Sequence, residues 1–378
     1  MLAPDPTLLK TTLTEHLNLH HQLKLKLHAL STLKLHPTPD ASQTVLQQVK
    51  KDMLVGGLKL LPDFCMFTPR GFMDYTVQLE RALKKLRPIM QEVVAHQGGI
   101  PNENQRQNLL LEIQKLHKCS EQHQLKHQEL KEQFQELLSP MRQHHMDLSM
   151  LLEDQLSAQG SEKHQIEHMQ AQLQILIDKL RRDAAEATSS SIGFGTPVHG
   201  LTLRISFQNR GEAQPFSQFG VTVASLGAPL GSQLTPEVAE DLQWLNDGMQ
   251  DLNLEQQLLV ISHGTQDFLH GLLKTLRRAS DHEAAQSYLW NINSRLLDAL
   301  LDTLQQPQIR LQTIKLLHSL LSASHGWQAI SEFALQSQST TICLSEVVTL
   351  PPIMLGNTSS GPFTGGTGSA LFSIRHRF

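Results

Sequence analysis

The apolar residues of this chain follow two different periodicities, and the change between them divides the sequence. From residue 102 to 186 they recur three or four positions apart, which is the spacing of one helix face. Residues 187–233 are rich in Gly, Pro and Ser, and their apolar residues alternate with polar ones, which predicts strands. Helical spacing resumes at Thr235. The fold class predicted is mainly α: an elongated antiparallel helical bundle with a small β-hairpin head inserted between two long helices.

The stretch 102–186 carries a heptad-like stripe with a polar middle. Its apolar positions are Leu109, Ile113, Leu116, Leu130, Phe134, Leu137, Met141, Leu148 and Leu151. The polar residues on the same series are Ser120, His123, His127 and His144. Such a seam favours packing within a multi-helix bundle over a free two-stranded coiled coil. Ser139-Pro140 could begin a new helix or kink one, and Gly160-Ser161 offers a second joint.

The N-terminal part predicts three shorter helices. The first spans about residues 7–35 and ends at a Pro-rich segment. The second begins near Ser42, is weakened by Gly56 and Gly57, and is interrupted by Pro62. The third spans about 73–97. Between the last two, the aromatic segment Phe64–Phe72 is predicted to be a turn packed against the body.

Residues 187–233 predict a hairpin with one apolar and one polar face. In its first strand Leu201, Leu203, Ile205 and Phe207 alternate with polar residues, and in its second strand Phe219, Val221 and Val223 do the same. Asn209-Arg210-Gly211 fits the turn between them. An isolated hairpin is marginally stable in water. We therefore expect its apolar face to be covered by another part of the protein.

Beyond the hairpin, Thr235 suits a helix N-cap and Pro236 the first helical position. The pattern predicts helices to about Arg278, then over 282–304 and 308–336, followed by an extended tail from Thr341. The predicted regions are a first part of a helical tail bundle (1–186), a head (187–233), a second part of the bundle (234–340) and a C-terminal tail (341–378).

Composition narrows the functional classes. Aromatic residues are only 5% of the chain, which suits the thin core of a rod. A net charge of −4 and the lack of a basic stripe interleaved with aromatics give no sign of a nucleic-acid partner. Three cysteines at no ligand spacing imply neither a disulfide framework nor a zinc site. No run of 18 apolar residues occurs and the N-terminus lacks a secretory pattern, so we expect neither a constitutive transmembrane helix nor a cleaved signal peptide.

The 20 histidines raise the question of metal binding. His123 and His127 are four residues apart, as are His164 and His168, so each pair shares a helix face. Zinc usually needs a third protein ligand, and no nearby Cys or HExxH pattern supplies one. We interpret these histidines as seam or surface residues and expect no metal and no cofactor. Histidines in the seam would become charged near pH 6.5 and loosen the bundle in acid.

Catalytic motifs are not found in the sequence. It contains no GxSxG and no P-loop, and its His and Asp residues lie on predicted helix faces with no nucleophile beside them. We therefore expect the protein not to be an enzyme.

The order of elements carries a resemblance to a known family. A long helix over 141–180 precedes the non-helical segment, and a return helix over 241–273 follows it. SYLWNINSRLLDALLDTL (287–304) and SASHGWQAISEFALQ (322–336) each place a tryptophan ahead of a helical run. Over roughly residues 42–336 this arrangement resembles the α-helical pore-forming toxins of the cytolysin A and hemolysin BL type.

The resemblance implies a helical tail bundle, a head with a tongue at 187–233, and membrane insertion after a shape change, often with partner subunits. Many members of that family have a strongly hydrophobic tongue. Here Arg204, Gln208, Arg210 and Glu212 make it amphipathic, so it could either line a pore or serve as a docking part of a multi-component toxin. The tongue residues expected to meet the membrane are Leu201, Leu203, Ile205, Phe207, Phe216, Phe219, Val221 and Val223.

The function expected is that of a soluble precursor or subunit of an α-helical pore-forming cytotoxin that rearranges and oligomerises on target membranes. Its expected partners are target-cell membrane lipid and homologous toxin subunits encoded nearby, with no nucleic acid. It would be secreted without a cleaved signal peptide and would reach the host membrane on insertion. The alternative is an intracellular coiled-coil scaffold subunit of a multiprotein complex, whose hairpin and tail pair with neighbours.

Overall fold

The computed structural model of the chain describes residues 6–32, 40–95, 103–189, 200–209, 217–226, 236–306 and 311–339. The helices there are α1 (Pro6–Thr32), α2 (Asp40–Ala95), α3 (Glu103–Ala158), α4 (Lys163–Ser189), α5 (Pro236–Gln250), α6 (Leu254–Gln305) and α7 (Leu311–Ser339). A 3-10 turn at Gly160–Glu162 joins α3 to α4. Two strands, β1 (Gly200–Asn209) and β2 (Ser217–Leu226), lie between α4 and α5.

The long helices form the body of the molecule. α3 packs along α6, α2 packs on α3, and α1 and α7 complete the bundle through contacts with α2 and α6. α2 and α3 each have 56 residues, which at 1.5 Å per residue is about 84 Å. The predicted helical bundle is therefore confirmed.

The predicted stripe of α3 faces the core. Leu109, Ile113, Leu116, Leu130, Phe134, Met141 and Leu148 are buried, and so are the polar seam residues Ser120, His123 and His127. Farther along, Leu138 and Leu152 are buried, whereas the predicted Leu137 and Leu151 are only half-buried. A straight helix drifts relative to a 3.5-residue repeat, and this drift moves the seam by one residue.

The predictions for α2 were wrong. The helix runs without interruption from Asp40 to Ala95, through Pro62, Pro69 and Pro88, so neither a break at Pro62 nor a turn at Phe64–Phe72 exists. A proline inside a helix costs about 3 kcal/mol. Burial of a large apolar side chain contributes about 1.5–3 kcal/mol, and α2 buries many, so tertiary packing outweighs the local preference. Those at its centre are Phe64, Phe72, Tyr75 and Leu79.

The helix boundaries after the hairpin also differ from prediction. The helix predicted to reach Arg278 ends at Gln250, and α6 then passes through the predicted gap at 279–281 as far as Gln305. A reciprocal capping box makes the break: the Asn253 side chain accepts from the Gln256 backbone at 3.0 Å, and the Gln256 side chain accepts from the Asn253 backbone at 2.9 Å. In α3, no new helix begins at Pro140. The joint predicted at Gly160 is present, with φ at +59°.

Two glycines of α2 allow neighbouring helices to approach closely. A Cβ atom at Gly56 would lie 2.3 Å from Cδ2 of Leu137 in α3, and one at Gly57 would lie 2.8 Å from Cδ2 of Leu27 in α1. These residues, which the sequence marks as weak helix formers, thus serve the packing of α2 between α1 and α3.

The body contains two apolar cores. One is built by α1 to α6 and includes Leu23, Phe64, Phe134 and Leu272. The other lies toward the opposite end, includes Leu13, Leu116, Trp290 and Trp327, and takes in α7. Between them the buried positions of α1, α3 and α6 are polar. We call this level the polar layer: His16, Ser120, His123, His127, His282, Glu283 and Gln286.

Candidate functional site

The two strands pair antiparallel with one continuous register. Leu203 is opposite Val223, Ile205 opposite Val221 and Phe207 opposite Phe219. Residues directly opposite in an antiparallel pair lie on the same face of the ribbon, and alternate residues of a strand share that face. The backbone register therefore brings these six positions of the predicted membrane-interaction set together.

Two further residues of that set stand apart. Leu201 is opposite Ser225, so it belongs to the same face without an apolar partner. Phe216 and the predicted turn Asn209-Arg210-Gly211 lie wholly or partly outside the described residues. The other face of the register carries Thr202 opposite Ala224 and Arg204 opposite Thr222.

Helices α4 and α5 support the hairpin. β1 contacts α4, β2 contacts α5, and the two helices contact each other. Lys179 of α4 donates to Asp241 of α5 at 2.5 Å. A Cβ atom at Gly248 would lie 2.8 Å from the Met169 side chain, so the two helices pack closely. Nearby, the exposed Trp244 meets His168 edge-on at 5.4 Å between ring centroids.

Within the part of the chain that the structure describes, every helix is too short or too polar to cross a bilayer.

A second arrangement of interest is the polar layer, at the centre of the bundle. Glu283 of α6 and His127 of α3 are both fully buried, and Nδ1 of His127 lies 2.6 Å from Oε2 of Glu283. The other oxygen, Oε1, lies 3.8 Å from Nδ1 of His16 in α1. The His16 ring packs between Phe64, at 4.5 Å, and His282, at 5.3 Å between centroids. Three helices therefore contribute to one buried carboxylate.

Several atoms of the polar layer make no hydrogen bond. They are both ring nitrogens of His16, Nδ1 of His123, Nε2 of His127, Nε2 of His282, Oε1 of Glu283 and Oε1 of Gln286. A buried polar atom without a partner costs about 1–3 kcal/mol. The potential ligand atoms of His16, His282 and Glu283 all lie within 4.8 Å of one another.

At the adjoining level, by contrast, a chain of side-chain hydrogen bonds joins α2, α3 and α6. Ser120 donates to the Trp290 backbone oxygen at 3.0 Å, Asn293 donates to Ser120 at 3.1 Å, and Tyr75 donates to Asn293 at 3.1 Å. Burial raises the pKa of Tyr75. The rings of Tyr75, Trp290 and Trp327 pack together with centroids 4.5–5.6 Å apart. This network fixes α3 and α6 in one register beside the polar layer.

Burial lowers the pKa of three histidines of the layer. Burial lowers the pKa of His16 well below its ordinary value, and the nearby histidines lower it further. The Phe64 backbone raises this pKa slightly, although its geometry does not amount to a hydrogen bond with the ring. Burial likewise lowers the pKa of His282, although Glu283 opposes it. For His123 burial, together with the nearby His127, lowers the pKa to about 4. These imidazoles are therefore neutral at pH 7.

The two cysteine thiols among the described residues are not activated. Burial raises the pKa of Cys65, and it raises the pKa of Cys119 to about 11. A thiol is nucleophilic only as its thiolate, so both are unreactive at neutral pH.

Sequence reasoning found His127 but missed its partners. The pairs at His123/His127 and His164/His168 were both interpreted as ordinary seam or surface residues, and His164 and His168 are indeed exposed. His16 and Glu283 each occupy a position on an otherwise apolar helix stripe. The sequence signal for this cluster is that polar residues interrupt the apolar stripes of α1, α3 and α6. That these residues lie at the same level of the bundle is visible only in the tertiary structure.

Neither a protein-family model nor a curated protein sequence matches this chain. Solved structures do. The cytotoxin MakB from Vibrio cholerae superposes with a TM-score of 0.65 at 14% identity, covering 94% of this chain and 95% of that one. Soluble SmhA, from the tripartite α-pore-forming toxin Smh of Serratia marcescens, gives 0.58 at 13% identity, covering 90% and 95%. The toxin component HblL1 of Bacillus cereus gives 0.53 at 15%, covering 90% and 99%.

At these identities the likeness establishes the fold. The chain has the fold of these toxin proteins, among them a component of a tripartite α-pore-forming toxin, along nearly its whole length. The resemblance that the order of elements predicted is thereby confirmed.

Proposed function

We propose that this chain is a soluble subunit of a multi-component α-pore-forming cytotoxin, and that the β1–β2 hairpin is its tongue. The observation that supports this most is the likeness of fold to the cytotoxin MakB over 94% of the chain. The likeness extends to proteins whose names describe them as parts of tripartite toxins. Under this proposal residues 187–233 form the head, and the remaining helices form the tail bundle.

The hairpin is amphipathic, which suits an element that moves from the protein surface into a membrane. Its register places apolar positions on one face and Arg204, Thr202 and Thr222 on the other. In water that apolar face gains by packing against protein, and at a bilayer the lipid chains offer a competing apolar surface. The exchange needs no membrane-spanning helix in the starting state. A polar second face suits a ribbon that borders water inside a pore or a partner subunit.

Proposed partners follow from the same features. They are target-cell membrane lipid and related toxin subunits, and the proposed site of action is the host membrane after secretion. An amphipathic tongue is less suited to unaided insertion than a wholly apolar one, so we expect lysis to require partner subunits.

Dye release from liposomes tests the proposal. The purified chain is added alone and together with the related proteins encoded beside it; we expect release with the combination. A lack of release in every combination would oppose the toxin function and favour the intracellular scaffold.

A reversible tether tests the tongue separately. Cys65, Cys119 and Cys343 are first replaced by Ser, and one cysteine is then placed in β2 and another in α5, which contact each other. We expect the oxidised protein to bind liposomes without lysing them and to recover lysis on reduction. The control carries the α5 cysteine alone. Unchanged lysis by the oxidised, fully cross-linked protein would rule out the hairpin as the inserting element.

A further inference from the structure

We propose that His16, His282 and Glu283 form a binding site for a divalent transition-metal ion of the zinc class at the centre of the bundle. All three side chains are buried, with 0%, 6% and 0% exposure. Their potential ligand atoms lie within 4.8 Å of one another. They come from both ends of the sequence, since His16 is on α1 and the other two are on α6.

The unmet hydrogen-bonding capacity of the cluster supports a cation. Both nitrogens of His16, Nε2 of His282 and Oε1 of Glu283 have no hydrogen-bond partner. Native proteins leave few buried polar atoms unsatisfied, and each such group calls for an explanation. One cation would satisfy an atom on each of the three side chains. It would also neutralise the buried carboxylate, whose described ion pairs are both with histidines.

The donor set selects the kind of metal. Two imidazoles and one carboxylate suit Zn²⁺ and its neighbours, whereas Mg²⁺ and Ca²⁺ prefer shells of oxygen ligands. An imidazole coordinates a metal in its neutral form, through a ring nitrogen that carries no proton. Zinc binds nitrogen and carboxylate oxygen at about 2.0–2.2 Å. The three donors must therefore close together around the ion, and either ring nitrogen of His16 is available for this.

His127 is the positioning residue of this site. Its Nδ1 lies 2.6 Å from Oε2 of Glu283, on the carboxylate oxygen away from His16. This contact leaves Oε1 as the atom presented to His16 and His282. Partners that orient metal ligands in this way typically contribute about 10- to 100-fold to metal affinity.

The ion would join the N-terminal helix α1 to the long helix α6 at the level where the two apolar cores meet. A set of three protein ligands leaves a fourth coordination position open, unlike the closed sites of structural zinc. If the chain rearranges as a toxin subunit, release of the ion would loosen α1 first. That consequence rests on the proposed function, but the site itself does not.

The test is zinc binding by the chelator-stripped, full-length protein at pH 7.5. We expect one Zn²⁺ per chain to remain after dialysis and the melting temperature to rise at one equivalent. Co²⁺ in its place should give d–d absorption without a thiolate charge-transfer band. Because these measurements use the unmodified protein, they stand even where a variant fails to fold. A melting temperature unmoved by Zn²⁺ with no ion retained would overturn the proposal.

Variants locate the ion. His16→Gln and His282→Gln should abolish stoichiometric binding, whereas His164→Gln, at a side chain 95% exposed, should retain it. His127→Ala should weaken affinity about 10- to 100-fold, and His127→Asn, whose amide can replace Nδ1, should restore much of it. Retention by His16→Gln with loss in His164→Gln would mean surface chelation instead. Liposome lysis plays no part in these measurements, so a non-lytic protein that binds Zn²⁺ would contradict only the proposed function.

Discussion

His127 and Glu283 lie in contact across the interface of α3 and α6, with 2.6 Å between Nδ1 and Oε2 and with both side chains at 0% exposure. In sequence they are 156 residues apart. This contact joins α3, which precedes β1 and β2 in the chain, to α6, which follows them. Substitution of Glu283 therefore tests how much this contact contributes to the stability of the helical body.

Glu283→Ala should strongly destabilise the metal-free protein. The substitution leaves Nδ1 of His127 buried without its partner, and an unsatisfied buried polar group typically costs about 1–3 kcal/mol. Glu283→Gln keeps the shape and one acceptor, so its loss should be smaller. The measurement is the free energy of unfolding from urea titration in the presence of chelator. Glu121→Ala, at a side chain 52% exposed, is the control; equal stability of Glu283→Ala and this control would contradict the prediction.

Acid should destabilise the bundle between about pH 6.5 and pH 4. Burial lowers the pKa of His20 to about 4, with Lys24 and His21 contributing, and burial and His127 lower that of His123 to about 4. Below about pH 6.5 these histidines bind protons in the unfolded chain but stay neutral in the folded chain until about pH 4. The free energy of unfolding is therefore highest above pH 6.5 and decreases as the pH falls to about 4, by on the order of 3 kcal/mol for His123.

Urea midpoints at pH 7.5, 6 and 5 measure this loss. His123→Gln should flatten the pH dependence, and His164→Gln should leave it unchanged. A midpoint that stays constant from pH 7.5 to pH 5 would show that the buried histidines do not control acid stability.

Two glycine substitutions should have opposite effects. At Gly57 a Cβ atom would lie 2.8 Å from Cδ2 of the buried Leu27, so Gly57→Ala should destabilise by about 1 kcal/mol through overpacking. At Gly271 a Cβ atom would lie 3.6 Å from Nζ of Lys26, an ordinary contact. Gly271→Ala should therefore stabilise by up to about 1 kcal/mol through helix propensity. Thermal unfolding of both variants is the comparison, and a more stable Gly57→Ala would contradict the packing argument.

One charge on either face of the hairpin should distinguish the two faces. Position 221 is opposite Ile205 and position 222 is opposite Arg204. Val221→Asp should lower liposome binding about tenfold, because burial of one valine is worth roughly 1.5 kcal/mol. Thr222→Asp adds the same charge one residue away and should bind as the unmodified protein does. Equal loss in both would mean that charge, and not the apolar face, governs binding.

The sequence predicted the elements whose pattern is continuous. The stripe of α3 and the alternation of residues 201–207 and 219–223 each repeat often enough to specify a face. It did not predict the continuity of α2, because the local effect of Pro62 and Pro69 is overridden by burial of Phe64 and Phe72, which depends on other helices. The break before α6 is a capping box, Asn253 to Gln256, in a stretch where the apolar residues Leu245, Met249 and Leu252 keep the spacing of one helix face. His16 and Glu283 come together only through the order of the helices in the bundle.

The two joints of the molecule lie side by side. The break at Gly160–Glu162 faces the break at 251–253: Gln159 donates to Glu255 at 3.3 Å, and Gln256 donates to Glu162. Both helical backbones leading to the hairpin are therefore interrupted at the same height. The regular backbone hydrogen-bond ladder is interrupted there in both connections, and side-chain packing and hydrogen bonds hold the level together. Among the described helices, this coincidence of two breaks provides a natural hinge between the hairpin and the polar layer.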